Sequence, residues 1–422
     1  MAHIVRWSHR IKFLRGFIVR QKSWKKVLTL GAVLLAASGA SLANEDVIKI
    51  GVVGPFTGKS STAMGESIRG AARLFAEDIN ESGGILGRRV QIIERDDEAI
   101  PDVGVRVAKD LVETQKVVAA VGYANTGVAL PSSKIFQDAR IPLIVSAATG
   151  AAITKQFLAP QYRDNYIFRT AASDAIQPVA ILNDVLDRRN LKRVAVLHDQ
   201  SPYGTLGRDS LLAELTKRKV TPVIVDSFKV GDSDMTSQLK RAKDAGADVI
   251  VTYSLGTEAA NVANSAKRLN WSVPIAGPWG LSQKTFLDTA GINSGGARMP
   301  VTFVENTFTA RSSAFVLGYR RINQQDFIPS AVAAAQTYDA LLLLVLAMQQ
   351  AGSTEGPKIR EALENLKRPV NFAVITTYRQ PFTKDDHEAI TTKMLIMGEI
   401  REGRVNYAYA EDARREGVIR QK

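Results

Sequence analysis

Cysteine is missing from all 422 residues. That excludes disulfides, thiolate catalysis, cysteine-ligated zinc and any lipid anchor attached at a cysteine. Histidine is scarce, with four in the whole chain. The pair His198–Asp199 invites an acid–base reading, but no serine elbow or partner spacing accompanies it, and a hydrogen-bonded loop histidine is the default. No metal-ligand cluster, paired catalytic carboxylates or activated nucleophile stands out, so the sequence predicts no enzyme, no cofactor and no metal site. GPFTGKSS fails as a phosphate loop, because the G-x-x-x-x-G-K spacing requires glycine where Val53 stands. Long apolar runs are also lacking. ALLLLVLAM follows Asp339 and stops at Gln349-Gln350, which reads as a buried helix rather than a membrane span of about 20 residues.

Acidic residues are absent before Glu45, while Arg6, Arg10, Lys12, Arg15, Arg20, Lys22, Lys25 and Lys26 precede the run VLTLGAVLLAASGASLA. A basic region, a short apolar stretch and small residues predict a secretory signal peptide over 1–43, cut after Ala43. Removing these eight of the 55 Lys and Arg leaves 47 against 42 acids, and the formal charge falls from +13 to about +5. The basic excess therefore belongs mainly to the targeting segment, and a nucleic-acid partner loses its support.

The remaining chain alternates strand and helix signals. VIKIGVVG, a glycine-rich turn, the amphipathic stretch ESIRGAARLFAEDI and RVQIIERDD form a βαβ unit that opens a parallel sheet. Within it, Ile68, Ala71, Ala72, Phe75 and Ile79 recur at three and four residues, one buried helical face. Continuous apolar strands follow at VVAAV and IPLIV, then in a second round at RVAVL, TPVIV and ADVIV, each with a helix after it except IPLIV, which runs into a loop, so a sheet covered on both faces is expected. From Val301 the rhythm changes to three successive helices, about 310–323, 330–350 and 356–366, and a closing β-hairpin around Arg401-Glu402-Gly403-Arg404.

IKIGVVGPFTG, the helix ending EDINESGGILG, and VQIIERDDEAIPDVGVRVAKDLV together resemble the amino-terminal signature of the type I periplasmic solute-binding proteins of ABC importers, in the branch of the leucine/isoleucine/valine-binding proteins. The resemblance runs from about Val47 to about Ala413. It implies an α/β, two-lobed fold, each lobe a mostly parallel sheet with helices on both faces, joined by three hinge crossovers near Thr170, near Thr302 and near Tyr378 to His387. Lobe one would comprise 45–170 plus 303–380, and lobe two 171–302 plus 381–422. The implied function is capture of a small-molecule carboxylate by a soluble periplasmic monomer, with delivery to the membrane subunits of an ABC permease and no membrane insertion after signal cleavage. A ligand-sensing module for a receptor or kinase is the alternative.

Ligands in doubly wound sheets bind outside the carboxyl ends of the strands, where helix amino termini offer unpaired N–H groups. The loops to examine are GPFTGKSSTAMGE, GYANTG, VSAATG, HDQSPYG, YSLGTE and AGPWG. In VSAATG, small Ser146, Ala147 and Ala148 admit a ligand to the backbone and Thr149 adds a hydroxyl and an N–H; ordinary capping of the next helix is the plainer reading. By resemblance, this loop holds a carboxylate and part of an amine, Thr126 stands where the family has a carboxylate-binding serine, Tyr203 packs over the ligand, and Met64 lines the entrance. Trp279 stands where amino-acid binders of the family usually carry a glutamate that neutralises the ligand ammonium. An indole cannot do that, so an apolar or aromatic acid is expected beside an amino acid as candidate ligand. Glu258 is expected to serve the start of its own helix.

Overall fold

The computed structural model describes residues 47–415 apart from 59 and 306–308; the expected signal peptide and its cleavage site lie outside them. The first round of elements is β1 (Ile48–Gly54), α1 (Thr62–Glu81), β2 (Val90–Asp96), α2 (Pro101–Lys109), β3 (Ala119–Gly122), α3 (Thr126–Ala139), β4 (Leu143–Val145), α4 (Ala152–Lys155) and β5 (Ile167–Arg169). Its strands pair in parallel in the order β2-β1-β3-β4-β5. β1 and β3 are buried along both faces, as continuous apolar runs require. Ile68, Ala71, Ala72, Phe75 and Ile79 of α1 are all buried, the face that the spacing predicts.

The second round is α5 (Gln177–Leu182), β6 (Val194–Asp199), α6 (Pro202–Lys217), β7 (Ile224–Phe228), α7 (Thr236–Asp244), β8 (Val249–Tyr253), α8 (Gly256–Arg268), β9 (Ile275–Ala276), α9 (Lys284–Ala290) and β10 (Arg298–Val301). The chain then returns to the first sheet as α10 (Ala310–Asn323), α11 (Ala331–Ala351) and α12 (Gly356–Glu364), and ends beside the second as β11 (Ile396–Arg401), β12 (Arg404–Tyr407) and α13 (Ala410–Arg415). The second sheet runs β12-β11-β10-β9-β8-β6-β7, parallel except where the terminal hairpin adds antiparallel pairs. The hairpin turns at Glu402 and Gly403, both at positive φ.

Helix α11 is long and apolar enough to span a membrane by length and composition, yet it is mostly buried inside the protein, as the interrupting polar residues predict. Its Asp339 is fully buried and accepts from the N–H groups of Val374 (2.6 Å) and Ile375 (2.9 Å) and from the Tyr378 hydroxyl (3.0 Å). One carboxylate thereby organises the irregular stretch after α12.

The chain passes between the sheets three times, after β5, after β10 and ahead of β11. Gln336 of α11 touches two of these passages: its carbonyl accepts from the Thr170 hydroxyl at 3.0 Å, and its Nε2 donates to Thr302 Oγ1 at 3.1 Å. The third lies on the first, with Arg169 N donating to His387 O and Ala389 N donating to Arg169 O, both at 2.9 Å.

Burial pushes two carboxyls of this framework upward, Asp97 to about 7 and Asp339 to about 6. An unfolded Asp titrates near about 3.9. Between these values the folded chain holds protons that the unfolded chain has released, so stability falls as pH rises from about 4 to about 7. Carboxylates held below their usual range, such as Asp234 beside Thr236 and Arg268, are ionised in both states above about pH 5 and add no slope there. Asp97→Asn should therefore flatten the decline of folding free energy between pH 5 and 8, by an amount on the order of 1–3 kcal/mol. An unchanged profile in calorimetry counts against the assignment.

Candidate ligand-binding site

Each sheet reverses its winding once. β1 lies between β2 and β3, and β6 lies between β7 and β8, so each sheet opens a crevice at the carboxyl ends of those strands. Gly122 ends β3 at φ +135, and a Cβ there would stand 2.0 Å from Val53 O, so only glycine lets the chain leave the sheet at this point. The two crevices face one another. The start of α3 meets the start of α6, where the Cβ built on Gly127 lies 3.2 Å from Pro202 Cγ.

Between them is a cavity of about 30 Å³. The first lobe contributes Met64, Ala124, Asn125, Thr126, Ala147 and Thr149; the second contributes Tyr203, Ser254, Leu255, Trp279, Gly280 and Gln283. Six residues singled out from the sequence, Met64, Thr126, Ala147, Thr149, Tyr203 and Trp279, are thus brought together. Ser146 and Ala148 are not. The backbone bends at Ser146 and Ala147 as it leaves β4, and of this loop the cavity is lined by Ala147 and Thr149. Ser146 is buried with its Oγ 2.8 Å from Thr337 Oγ1 of α11, and Ala148 packs in the core with Val145 and Ile153. Glu258 is buried, accepting the Gly231 N–H at 2.8 Å. His198 is likewise a buried, hydrogen-bonded residue, its Nδ1 2.8 Å from Asp199 O.

The two threonines are polarised in opposite senses. Thr126 Oγ1 accepts from Gly150 N at 3.1 Å, which leaves its hydroxyl hydrogen free to donate. Thr149 Oγ1 donates to Asp174 Oδ2 at 3.0 Å, which leaves its lone pairs free to accept. Nor does Asn125 cap α3: it makes no side-chain bond to the helix, and its Nδ2 reaches Ser61 Oγ at 2.9 Å instead. The capping role expected of these loop residues is therefore not taken up, and the positive end of the α3 dipole is open to the cavity.

Trp279 opens a 3₁₀ turn and is 3% exposed, serving both as cavity wall and as part of the main core with Leu281 and Phe286. Its backbone N–H donates to Gln177 Oε1 at 2.9 Å, and Gln177 Nε2 donates to Asp174 Oδ1 at 3.1 Å. Trp279, Gln177, Asp174 and Thr149 thus form one chain of bonds from the wall of lobe two to the wall of lobe one. Burial, opposed by bonds from Thr149 and Gln177 and by the charge of Arg169, raises the Asp174 carboxyl to about 7. The Tyr203 ring tilts against Tyr253 at 5.9 Å, and burial pushes its hydroxyl well up, so it stays a neutral donor.

Sequence reasoning named the loops GYANTG and YSLGTE without singling out Ala124, Asn125, Ser254 or Leu255. Gln283 lies beyond AGPWG, where nothing in the sequence signals that a 3₁₀ turn folds it back to the cavity. Asp174 was missed because its partners are 25 residues upstream and three downstream.

The periplasmic binding protein family model matches residues 47–403. The chain belongs to the periplasmic binding protein family. Leu/Ile/Val-binding protein homolog 3 of Brucella melitensis is 29% identical over 357 residues, 84% of this chain and 93% of that protein. The branched-chain amino acid transporter substrate binding protein LivJ of Streptococcus pneumoniae, solved with isoleucine, superposes with a TM-score of 0.74 at 26% identity, covering 86% of this chain and 98% of that one. A solute binding protein of an ABC transporter from Rhodopseudomonas palustris, solved with 3,4-dihydroxybenzoic acid, shares the fold with a TM-score of 0.72 at 21% identity, covering 86% of this chain and 96% of that one. In those two proteins one fold thus carries an aliphatic amino acid and an aromatic acid.

Proposed function

We propose that this chain is the periplasmic substrate-binding component of an ABC importer of the branched-chain amino acid type, closing its lobes around a small carboxylate and handing it to the membrane permease. The observation that carries the reading is the cavity where the strand-end crevices of both sheets meet. The open end of α3 and the Thr126 hydroxyl suit a carboxylate. Met64, Leu255 and Trp279 supply apolar walls for the rest of the ligand. A cavity of about 30 Å³ is far smaller than such a ligand, so entry requires the lobes to part. Closure then removes water and strengthens each polar contact. The named relatives support transport rather than sensing as the use of this site.

A thermal-shift screen across branched-chain amino acids, other amino acids, aromatic acids and short-chain acids tests the reading. A ligand present at 100 times its Kd should add about 2.7 kcal/mol of stability. If no carboxylate in the panel moves the melting point, the reading fails. With the best ligand in hand, Trp279→Ala should weaken binding about 10- to 100-fold by removing a large apolar wall, whereas Trp279→Phe should keep most of the affinity. Equal affinities by titration calorimetry would show that the indole serves the core alone.

A further inference from the structure

None of the residues lining the cavity carries a charge, and the polar groups among them differ in what they already hold. In lobe one, the Thr126 and Thr149 hydroxyls are engaged with Gly150 and Asp174, and Asn125 Nδ2 with Ser61. In lobe two, Ser254 Oγ lies 3.0 Å from Thr252 Oγ1. The Gln283 carboxamide and the Tyr203 hydroxyl differ from these: among the described residues, neither forms a hydrogen bond. Gln283 is only 3% exposed, and an amide taken from water without a partner is costly. It stands at the capping position of α9, yet its side chain makes no bond to that helix. Local structure therefore gives this amide no employment.

The two groups converge on Gly280. A Cβ built there would lie 3.5 Å from Gln283 Nε2 and 4.0 Å from the Tyr203 hydroxyl oxygen, with nothing else beyond its chain neighbours within 4 Å. The glycine thus leaves open a space from which one small group can reach both. Backbone bonds fix Gln283 beside it. Its N–H donates to Gly280 O at 3.3 Å, and the next N–H, that of Lys284, crosses to lobe one and donates to Pro329 O at 2.9 Å. The Lys284 ammonium also lies 4.9 Å from the centre of the Phe327 ring of lobe one. Gln283 therefore stands where the lobes meet.

We propose that Gln283, together with Tyr203, sets specificity by binding a neutral polar group, a hydroxyl or a carboxamide, at the end of the ligand remote from its carboxylate. This deepens the reading of the cavity as a carboxylate site and rests on it. With the carboxylate at α3 and Thr126 of lobe one, the groups of lobe two meet the other end of the molecule. A carboxamide and a tyrosine hydroxyl both donate and both accept. Their best partner is a group that does the same, and hydroxyls and amides do. A charged end suits them poorly, because no charged residue lines the wall to offset its desolvation. An apolar end suits them no better, because closure would seal the Gln283 amide and the Tyr203 hydroxyl from water without partners. A site built to bond a polar group rejects the analogue lacking it far more strongly than an apolar pocket rejects one methylene. Because Gln283 stands at the meeting of the lobes, a bond to it favours the closed state over the open one. Met64, Leu255 and Trp279 remain for the apolar body between the two ends.

The test is titration calorimetry on the purified protein with isosteric pairs that differ only at the far end. They are leucine against asparagine, 4-methylpentanoate against succinamate, phenylalanine against tyrosine, and 3-phenylpropanoate against 3-(4-hydroxyphenyl)propanoate. In the pair whose body fits, the polar member should bind about 10- to 100-fold tighter. Gln283→Met, which keeps the length and loses the hydrogen bonds, should cut that ratio to about threefold or less, weakening the polar member and sparing the apolar one. Tyr203→Phe should remove part of it. If the apolar member binds as tightly or tighter in every pair that binds, the proposal falls while the importer reading stands, a result that needs no variant to fold. A Gln283→Met protein that weakens both members equally overturns it too. If no pair binds, the tightest ligand of the thermal-shift panel decides: one without a neutral polar group away from its carboxylate, or one whose affinity Gln283→Met leaves unchanged, ends the proposal. Binding of no carboxylate at all, in the pairs or the panel, removes both readings.

Discussion

Glu388→Ala should lower folding stability by about 3–5 kcal/mol, the usual consequence of leaving one partner of a buried ion pair alone. Arg169 is fully buried, and its guanidinium receives both Glu388 oxygens, with Nε to Oε2 at 2.8 Å. Glu388 also accepts from the Thr154 hydroxyl. Around this pair the third interlobe passage lies against β5 through two backbone bonds at 2.9 Å. Alanine would leave Arg169 with only the Gly150 carbonyl and the Ser173 hydroxyl, too few acceptors for a desolvated guanidinium. The melting temperature should drop by about 4–6 °C, and Glu388→Gln, which keeps the shape and loses the charge, should fall between. Because Arg169 also holds the loop carrying Thr149, ligand affinity should decline in the alanine variant even at temperatures where it is folded. A melting temperature within 2 °C of the unaltered protein would show that water substitutes for the carboxylate.

The same ion pair illustrates how much of this protein can be read from its sequence. Continuous apolar runs and period-3.6 patterns found most strands of both rounds and the helices α1, α3, α6, α7 and α8, because each buries one face or both against a sheet, and burial writes itself into local composition. β10 escaped: its four residues, Arg298–Val301, include Pro300, a residue that argues against a strand until the partners β9 and β11 are known. α9 escaped too, being seven residues long with only Phe286 and Ala290 buried. The candidate site was legible as a set of loops because strand-end position is a property of the sheet, not of any side chain. What was illegible is everything set by contacts across the chain. Asp174 with Thr149, Arg169 with Glu388, and Gln177 with Trp279 are separated by 25, 219 and 102 residues. No local pattern encodes such pairs. VSAATG shows the opposite error: four adjacent small residues look equally suited to a ligand, and only the direction of the backbone decides that alternate ones face it.

Replacing Gly127 with leucine should hold the lobes apart. Gly127 occupies the first turn of α3, and its Cβ position is 3.2 Å from Pro202 Cγ and 3.5 Å from Cδ, so the lobes touch at this point when closed. Its backbone is not in the left-handed region, and leucine favours a helix over glycine, so the separated lobes should fold as well as before or slightly better. In the closed arrangement the extra atoms have nowhere to go except into the start of α6. Overpacking of this kind costs about 1–3 kcal/mol, charged entirely to the closed state, and ligand affinity should fall about 5- to 150-fold. Gly127→Ala, which asks Pro202 to yield only a few tenths of an ångström, should lose no more than about threefold. Scattering in solution supplies the structural readout: at saturating ligand the leucine variant should keep a larger radius of gyration than the unaltered protein, and Pro202→Ala in the same chain should bring both compactness and affinity part of the way back. A leucine variant that binds and compacts normally would mean that the contact between α3 and α6 plays no part in closure.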